Sequence, residues 1–543
     1  MQNPTEPKDQ DRSLRFSWLG KTSLAGILLA AIAVVIIQQN ASATDFAFAK
    51  IMSAVLALLC WMLLTAACWA SNLPRSVWRR LLYLPVAALA VFLAIYRLER
   101  VDGELTPKFV FRFGTATSLV AAPSQANAID AKLLEPSLAD YPQFLGPNRD
   151  GHLSTVLSTD WQAEPPKIAW KQTIGEGWSS FAVVGDVAIT MEQREAQEWV
   201  VAYNVVDGAI LWHYALTARH TNTLGGTGPR STPTISGDLV FACSAVDQIV
   251  CLELSTGNLF WSHSLLEGSQ SDFESSVSWG RSASPLVVDN LVVIPMGGHA
   301  EASCTLLALD KTDGSVVWKS GTDEVSYSSP TLMSLHDTRQ IVYTSESKLA
   351  AYAIDDGREL WSIEAPSVSS GAPNVAQPVL IPGNRVLLTK GYGEGARLLQ
   401  VTTSADQKWS VQEIWKSSAL RTKFTTCVYQ DGYAYGLSDG VLECVDTETG
   451  KSQWKKGRYH HGQLLLVGSH LLITSEKGEL VLVDASPNKW NEVAKLQVIG
   501  DVSWNTPALS GNRLLMRNSD EAACVTLPVR MLPAPDNPVP AEA

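Results

Sequence analysis

The sequence predicts an all-β protein: an eight-bladed β-propeller of four-stranded antiparallel blades, preceded by an N-terminal bundle of about three transmembrane helices. Three observations support this prediction. Three apolar stretches lie within the first hundred of the 543 residues. Through the rest of the chain a tryptophan recurs about every 47 residues, and small residues open an apolar run in phase with it. Four-stranded propeller blades repeat at this interval, every ~40–50 residues.

The composition limits the classes of function. The 54 acidic residues outnumber the 42 Lys and Arg, which gives a formal net charge of −12. This balance argues against nucleic acid as the main partner, because phosphate contacts need a basic surface. Charged residues make up 18% of the chain, below the ~25% of an ordinary soluble protein. The low charge therefore indicates a portion within a membrane.

Residues 1–100 are predicted to form a membrane anchor with helices at about 18–38, 51–70 and 78–97. A spanning helix needs ~20 apolar residues, and the stretch 51–70 is uncharged. Cytoplasmic loops carry an excess of Lys and Arg. We therefore expect a multi-pass protein of the bacterial inner (cytoplasmic) membrane, with everything after the third helix on the periplasmic side. The basic residues that indicate this orientation are Arg12, Arg15, Lys21, Arg75, Arg79 and Arg80.

Residues 101–165 are predicted to be a linker, and residues 531–543 a disordered tail. The stretch 120–128 is small and polar without a sustained period, which indicates flexibility. In 141–151, turn-forming residues alternate with aromatic ones, and we expect this stretch to be ordered against the next domain. Residues 41–43 resemble a signal-peptidase site, and cleavage after Ala43 would leave the periplasmic placement unchanged.

A repeated motif organises residues 166–530. A short apolar strand ends in Asp or a polar turn, a Gly follows, and a Trp comes four residues after the Gly. Degenerate copies lie at 399–415 and 481–496, and counting one of them as an insertion gives seven blades instead of eight. The clear copies contain Gly208 and Trp212, Gly257 and Trp261, Gly314 and Trp318, Gly357 and Trp361, and Gly450 and Trp454.

Small residues open each predicted blade, followed by alternating runs with the period of half-buried strands. The additional strand at 168–170 is expected to complete the last blade and close the ring, which removes its exposed edges. Each Trp is expected to pack between neighbouring blades, and each Gly to adopt the positive φ of a tight turn. The openings are Ser179-Ser180, Thr232-Pro233, Ser284-Pro285, Ser329-Pro330, Gln377-Pro378, Thr425-Thr426, Gly462-Gln463 and Thr506-Pro507.

The unit Asp-x-x-Thr-Gly-x-x-x-Trp, clearest at 446–454 and, with Asp in place of Thr, at 310–318, resembles the quinoprotein (PQQ-type) repeat. The resemblance covers about 166–527. It implies the eight-bladed propeller of alcohol and glucose dehydrogenases, which BamB-like scaffolds and uncharacterised membrane-associated proteins also carry. Since the motif marks the packing of blades, the resemblance implies a fold and leaves the activity open.

The resemblance also implies which groups an enzyme of this type would need. PQQ dehydrogenases hold a tricarboxylate quinone over the propeller axis, usually with calcium and a carboxylate base. The alcohol dehydrogenases carry an adjacent Cys pair and often a Cys-x-x-Cys-His site, and the eight cysteines of this chain provide neither. The membrane glucose dehydrogenases lack the pair and have N-terminal spans, so that branch stays open. The sequence alone identifies no cofactor. PQQ and calcium are the candidates, and no residues are assigned as metal ligands.

The residues just before each inner strand are expected to line one mouth of the ring. They are basic and aromatic, and guanidinium groups pair with carboxylates, so the mouth is a candidate anion site. In the alternative, Arg230 and Arg281 brace neighbouring loops through backbone carbonyls. These positions hold no Asp or Glu; Asp501 and Glu192 are the nearest candidates for a base. The candidate cofactor-binding residues are Arg230, Arg281, Lys423, Trp504 and Trp279, with Trp178, Tyr327, Lys390 and His461 beside them.

Other patterns have structural interpretations. His460-His461 lacks further ligands at metal-binding spacing, and the glycine-rich stretch 390–395 lacks the spacing of a phosphate loop. Cys243 and Cys251 face each other across a predicted hairpin. They form either a disulfide or two reduced, buried thiols, and we expect the second.

Two hypotheses of function follow. The first is a membrane-anchored periplasmic propeller acting as a binding or protein-interaction scaffold. Its partners would be the lipid bilayer, through the N-terminal helices, and either proteins of the envelope or an anionic small molecule. The second is a PQQ-dependent membrane dehydrogenase that oxidises an alcohol or a sugar. The first is preferred, because the blade pattern is clear while the catalytic residues are missing.

Overall fold

The computed structural model of the protein describes residues 17–40, 46–71, 73–114, 119, 128–222, 224–265, 277–297, 304–367 and 372–530. The chain divides into two compact units, 1–116 and 117–543. Three predicted features lie outside the described residues: the tail at 531–543, the cleavage-like site at 41–43, and the basic residues before Ser17. Nearly all of the predicted flexible stretch at 120–128 also lies outside them.

Three α-helices occupy the described part of the first unit: α1, Trp18–Gln39; α2, Phe46–Trp69; and α3, Arg75–Ile95. Each is long and apolar enough to cross a membrane, which confirms the three predicted helices. The hydroxyl of Ser17 caps α1 by accepting a hydrogen bond from the amide of Gly20. The second helix begins five residues before its predicted start, because residues 46–49 are apolar and continue the same helix.

The segment predicted as a linker contains regular structure. A β-hairpin follows α3 directly and is formed by β1, Tyr96–Val101, and β2, Pro107–Phe111. A 3-10 helix, Ala131–Leu134, and β3, His152–Leu153, belong to the second unit. The stretch 141–151 is ordered against the propeller, as expected.

Eight four-stranded antiparallel sheets, the blades, make up the described residues from 167 to 526, which confirms the eight-bladed propeller and rules out seven blades. Within a blade the strands follow one another outward, and the first strands of neighbouring blades contact one another. The strands up to blade 2 are β4 Lys167–Thr173; β5 Ala182–Val184, β6 Val187–Arg194, β7 Gln197–Asn204 and β8 Ile210–Leu216 (blade 1); the short hairpin β9 Thr221–Asn222 and β10 Gly226–Thr227; and β11 Thr234–Ser236, β12 Leu239–Cys243, β13 Gln248–Glu253 and β14 Leu259–Ser264 (blade 2).

The next three blades repeat the same order. The strands are β15 Leu286–Val288, β16 Leu291–Pro295, β17 Leu306–Asp310 and β18 Val316–Ser320 (blade 3); β19 Thr331–Leu335, β20 Thr338–Thr344, β21 Lys348–Tyr352 and β22 Glu359–Glu364 (blade 4); and β23 Val379–Ile381, β24 Arg385–Lys390, β25 Gly395–Thr403 and β26 Trp409–Ser417 (blade 5).

The last three blades complete the ring, and β3 adds a fifth strand to blade 7, parallel to β31. The strands are β27 Val428–Gln430, β28 Tyr433–Ser438, β29 Val441–Asp446 and β30 Ser452–Arg458 (blade 6); β31 Gln463–Val467, β32 His470–Thr474, β33 Glu479–Asp484 and β34 Glu492–Gln497 (blade 7); and β35 Ala508–Ser510, β36 Arg513–Arg517 and β37 Glu521–Thr526 (blade 8).

The ring closes through β4. This strand precedes blade 1 in the chain but pairs antiparallel with β37, with Trp170 opposite Cys524, and so supplies the outer strand of blade 8. The predicted closure by the strand around Ile168 is confirmed.

The recurring tryptophans join neighbouring blades, as predicted. Five of the rings lie on a glycine of the following blade, where a Cβ atom would be 2.5–2.9 Å from the indole. These glycines also have φ of +68° to +76°, so the contact and the turn both require Gly. The pairs are Trp170 with Gly208, Trp212 with Gly257, Trp261 with Gly314, Trp318 with Gly357, and Trp415 with Gly450.

All eight cysteines lie within the described residues, and all are free. Cys243 and Cys251 are buried but are not opposite one another, since Cys243 pairs with Ile249 and Cys251 with Phe241. The expectation of two reduced, buried thiols is confirmed.

Candidate functional site

The two ends of the propeller axis differ. Because the strands of a blade alternate in direction, the loops between blades and the turns between second and third strands share one end, which we call the mouth. The turns between first and second strands, and between third and fourth strands, share the other end, which we call the closed end. All the predicted site residues lie in mouth loops or at the ends of strands that lead into them.

Residues 141–157, the plug segment, fill the axis from the closed end. Tyr141 is fully buried and exchanges two backbone hydrogen bonds, of 2.7 and 3.0 Å, with Val183 of blade 1. The carbonyl of Pro142 accepts from the amide of Ile235 in blade 2 at 2.8 Å. Two blades before blade 1 in the ring, β3 pairs with the inner strand of blade 7. The segment therefore contacts the inner strands of blades 1, 2 and 7.

Arg149 anchors the plug segment near the mouth. Its Nη1 donates to the carbonyl of Pro285 at 2.9 Å, and its Nη2 to that of Ser284 at 3.0 Å, where blade 3 opens. The side chain is 3% exposed, and burial lowers the pKa of Arg149 to about 9. This guanidinium therefore holds the plug segment against the backbone at the start of blade 3.

A ring of hydrogen bonds, the inner belt, encloses the axis at the blade openings. From blade 1 to blade 6, a backbone amide at one opening donates to a side-chain oxygen at the next, at 2.9–3.1 Å. The Gln463 amide group donates to the carbonyls of Phe424 and Trp504 and so joins blades 6, 7 and 8. Asn505 donates to Ser179 and closes the belt. The five amide links join Ser180 to Thr232, Thr232 to Ser284, Ser284 to Ser329, Ser329 to Gln377, and Gln377 to Thr426.

An aromatic group with one carboxylate lies at the mouth between blades 5 and 1. Trp504 packs at a tilt on Trp178, with ring centroids 4.7 Å apart, and on Phe424 at 5.1 Å. Phe424 makes an edge contact with His461 at 5.5 Å. Glu476 Oε1 accepts from Nε1 of Trp504 at 2.7 Å, and its Oε2 accepts from the His461 amide at 3.3 Å. We call these five residues the mouth cluster.

A second group lies between blades 2 and 4. The rings of Trp279 and Tyr327 stack at 5.4 Å, and the Tyr327 hydroxyl accepts from the Trp279 amide at 3.1 Å. Arg230 donates through Nε to the Trp279 carbonyl and through Nη2 to Gly226. Burial lowers the pKa of Arg230 to about 10.

The predicted site residues thus fall into separate groups. Trp504 belongs to the mouth cluster, whereas Trp279 and Arg230 belong to the second group. Arg281 donates to the carbonyls of Met296 at 2.7 Å and Val246 at 3.0 Å. Arg230 and Arg281 therefore make the backbone-bracing contacts of the alternative interpretation. Lys423 is 4% exposed, with its Nζ 5.6 Å from the ring centre of Tyr392. A ligand-binding role for these residues stays a prediction.

Glu192 and Asp501, the proposed candidates for a base, are engaged locally. Glu192 is fully buried and accepts from the Gly175 amide at 2.6 Å and from Arg194 Nε at 2.8 Å. Asp501 accepts from the Val502 amide at 2.8 Å.

The carboxylates at the mouth turns between second and third strands were missed, among them Glu476 and Glu198. Glu476 lies in the turn between the second and third strands of blade 7, and Glu198 is the second residue of the third strand of blade 1. Neither residue precedes an inner strand, the position from which mouth residues were predicted; the strand period indicates these turns as well. Glu198 Oε2 accepts from the Ala245 amide of blade 2 at 3.0 Å, and Oε1 has no partner among the described residues. Burial, with a smaller contribution from Asp247, raises the pKa of Glu198 to about 7.

The mouth does not fit a calcium-bound tricarboxylate quinone. The guanidinium groups of Arg230 and Arg281 already bind backbone carbonyls, and the carboxylate of Glu476 already accepts two hydrogen bonds. Calcium requires several oxygen ligands, and the described residues contain no group of three His, Cys, Asp or Glu that could hold a metal. The geometry is suited instead to apolar and stacking contacts on Trp504 and Phe424, which are partly exposed.

Comparisons with known proteins agree with this fold. A family model described as "Outer membrane protein assembly factor BamB" matches residues 196–456. A solved quinohemoprotein alcohol dehydrogenase from Pseudomonas putida HK5 is 11% identical, with a TM-score of 0.51, over 78% of this chain and 86% of that one. BamB from Moraxella catarrhalis is 13% identical, with a TM-score of 0.48, over 67% of this chain and 100% of that one. No curated protein matches the chain in sequence. At these identities, the likeness to the dehydrogenase shows the fold alone.

Proposed function

We propose that this chain, whose propeller has PQQ-like repeats, acts as a membrane-anchored scaffold that binds a protein partner at its mouth. The observation that carries the proposal is the contrast between the two ends of the axis. The plug segment occupies the closed end, whereas the mouth presents the partly exposed rings of Trp504 and Phe424. Tryptophan and other large aromatic residues are enriched where protein interfaces bind most strongly.

The family model supports the same function, because its description names an assembly factor. Like such a factor, this propeller would bind a polypeptide segment without catalysing a reaction on it. An apolar or aromatic side chain of the partner would pack on Trp504 and Phe424. Of the two hypotheses, the dehydrogenase has less support, because the basic groups it requires are bonded to the backbone.

Site-specific photo-cross-linking in the bacterial envelope tests the mouth. A photoreactive amino acid in place of Trp504 should give a defined adduct with one protein, and the Trp504→Ala/Phe424→Ala variant should lose co-purification of that protein. The matched control position is Phe260, which is 61% exposed on the outer strand of blade 2, away from the mouth. Equal adducts at both positions would contradict the proposal.

Quinone binding tests the alternative. Full-length protein in detergent, titrated with PQQ and Ca²⁺, should show no stoichiometric quinone absorbance at micromolar quinone. Stoichiometric binding together with dye reduction by an alcohol or a sugar would establish the dehydrogenase instead.

The membrane placement is part of the proposal. The three apolar helices would cross the inner membrane, with the propeller in the periplasm. Alkaline phosphatase fused after Leu527 should be active in cells, because this enzyme folds only outside the cytoplasm. Activity of a cytoplasmic reporter at the same position would refute the placement.

A further inference from the structure

The hairpin β1–β2 has one apolar face. In its register Tyr96 lies opposite Phe111 and Leu98 opposite Phe109. Alternate residues of a strand share a face, so these four side chains lie together. They are 36–51% exposed, with Phe111 the most exposed. An aromatic face of this kind in contact with water is unfavourable, because the hydrophobic effect favours its burial.

Ring contacts join this face to α3. The ring of Phe92, in the last turn of the helix, lies 4.9 Å from those of both Tyr96 and Phe109. The Phe111 ring lies 6.0 Å from that of Tyr96 and 5.5 Å from that of Phe113, which is 74% exposed. We call Phe92, Tyr96, Leu98, Phe109, Phe111 and Phe113 the aromatic strip. It continues the apolar surface of a candidate membrane span without a break.

The other face of the hairpin is charged. Arg97 lies on this face, opposite Val110, and a bulge between Leu98 and Arg100 brings Arg100 opposite Lys108. Lys108 pairs with Glu99, with Nζ and Oε2 2.9 Å apart. The hairpin is therefore amphipathic, with basic side chains on the face away from the strip.

Two contacts fix the hairpin to the ends of the helices. Arg112 donates through Nε to the carbonyl of Leu93 at 3.0 Å, and its amide donates to Ile95 at 2.9 Å, which satisfies carbonyls at the end of α3. At the tip, Glu104 binds the Lys50 ammonium at 2.8 Å, near the start of α2. The hairpin thus bridges the point where one candidate span ends and the point where another begins.

We propose that the hairpin lies in the membrane interface, with the aromatic strip among the headgroups and upper acyl chains of the leaflet where α3 ends. Aromatic rings accumulate at this depth, and an amphipathic element lies in the interface plane with its apolar face inward. The bilayer is the occupant favoured here because the strip is continuous with α3 and because basic side chains can reach lipid phosphates from the opposite face. This proposal rests on the membrane anchoring in the proposed function.

Spin-label accessibility of the full chain in nanodiscs of phosphatidylethanolamine and phosphatidylglycerol tests the proposal. Labels at Leu98→Cys and Phe111→Cys should be several-fold more accessible to oxygen than to a water-soluble nickel chelate. The matched control is Arg97→Cys, an exposed neighbour on the charged face, where the chelate should have the better access. A Cys60→Ala background removes the partly exposed native thiol.

Each outcome decides a different point. Chelate access at both strip positions would place the hairpin in water and overturn the proposal. Protection from both reagents would place the strip against protein and overturn it as well. A label at Leu59→Cys, on the exposed side of α2, reports the anchor separately. Oxygen access at Leu59 with chelate access at Phe111 refutes the hairpin proposal alone, whereas chelate access at Leu59 refutes the anchoring.

Discussion

Neighbouring blades are joined by two sets of contacts, one near the outer strands and one near the axis. Only the set near the axis is present at every junction. Near the outer strands, a tryptophan packs on the glycine of the next blade at five of the eight junctions in the described residues. Near the axis, the inner belt spans all eight junctions. The repeat that reveals the fold in the sequence is therefore the incomplete contact, and the belt is the complete one.

The junctions that lack a tryptophan–glycine contact are the ones where the belt contains a glutamine side chain. Blades 5 and 7 have degenerate motifs, and Trp361 of blade 4 donates within its own blade, to Gln340 at 2.8 Å. These two blades carry glutamine in the belt, Gln377 and Gln463, where the others carry Ser, Thr or Asn. A longer side chain with a donor and an acceptor can reach across a wider junction.

The largest expected effect comes from removing an outer contact. Trp261→Ala should lower the free energy of unfolding by about 3–5 kcal/mol, because it empties a buried site and removes the indole bond to the Lys311 carbonyl at 3.0 Å. Phe260→Ala, on the same strand but 61% exposed, should change it by less than about 0.5 kcal/mol. Denaturant unfolding of the full chain in detergent measures both. Equal losses would show that position 261 is not a special contact.

The next effect is a pH dependence at the junction of blades 1 and 2. Burial raises the pKa of Glu198 to about 7 from an ordinary value of 4.5. The folded state therefore favours the protonated form, and the stability from this group is present below pH 4.5 and lost as the pH rises to about 7. The loss should approach about 3 kcal/mol. Glu198→Gln should remove this slope from unfolding free energies measured across the window; an unchanged slope would assign it to other groups.

A smaller effect is expected from one link of the belt. Thr232→Val removes the oxygen that accepts from the buried Ser180 amide at 3.1 Å, which should cost about 1–2 kcal/mol. Thr232→Ser keeps the acceptor and should retain most of the stability. Unfolding midpoints of the two variants compare them directly. If both lose the same amount, then the methyl group and not the hydroxyl stabilises this junction.

The ring could be predicted from the sequence because every blade repeats one local contact. The spacing of Gly and Trp predicted the number of blades, and the unpaired strand before them predicted how the ring closes. The inner belt was only half predicted, since Thr232 and Ser284 were recognised as small residues that open a blade, without a role for their hydroxyl groups.

The plug segment and the mouth cluster needed the structure. Arg149 binds carbonyls more than 130 positions away in the chain, and no period in the sequence relates such residues. Glu476 was missed because one set of mouth loops was considered and the other was not. The burial of Arg230 and Arg281 against carbonyls depends on loop geometry, which residue type does not specify.

Ring closure by β4 has a consequence for biosynthesis. This strand is made first, and its partner β37 emerges from the ribosome about 350 residues later. At ~5–20 residues per second, an unpaired sheet edge persists for roughly 20–70 s before its partner exists. Such an edge can pair with other chains, so the ring cannot close on itself until β37 has been made.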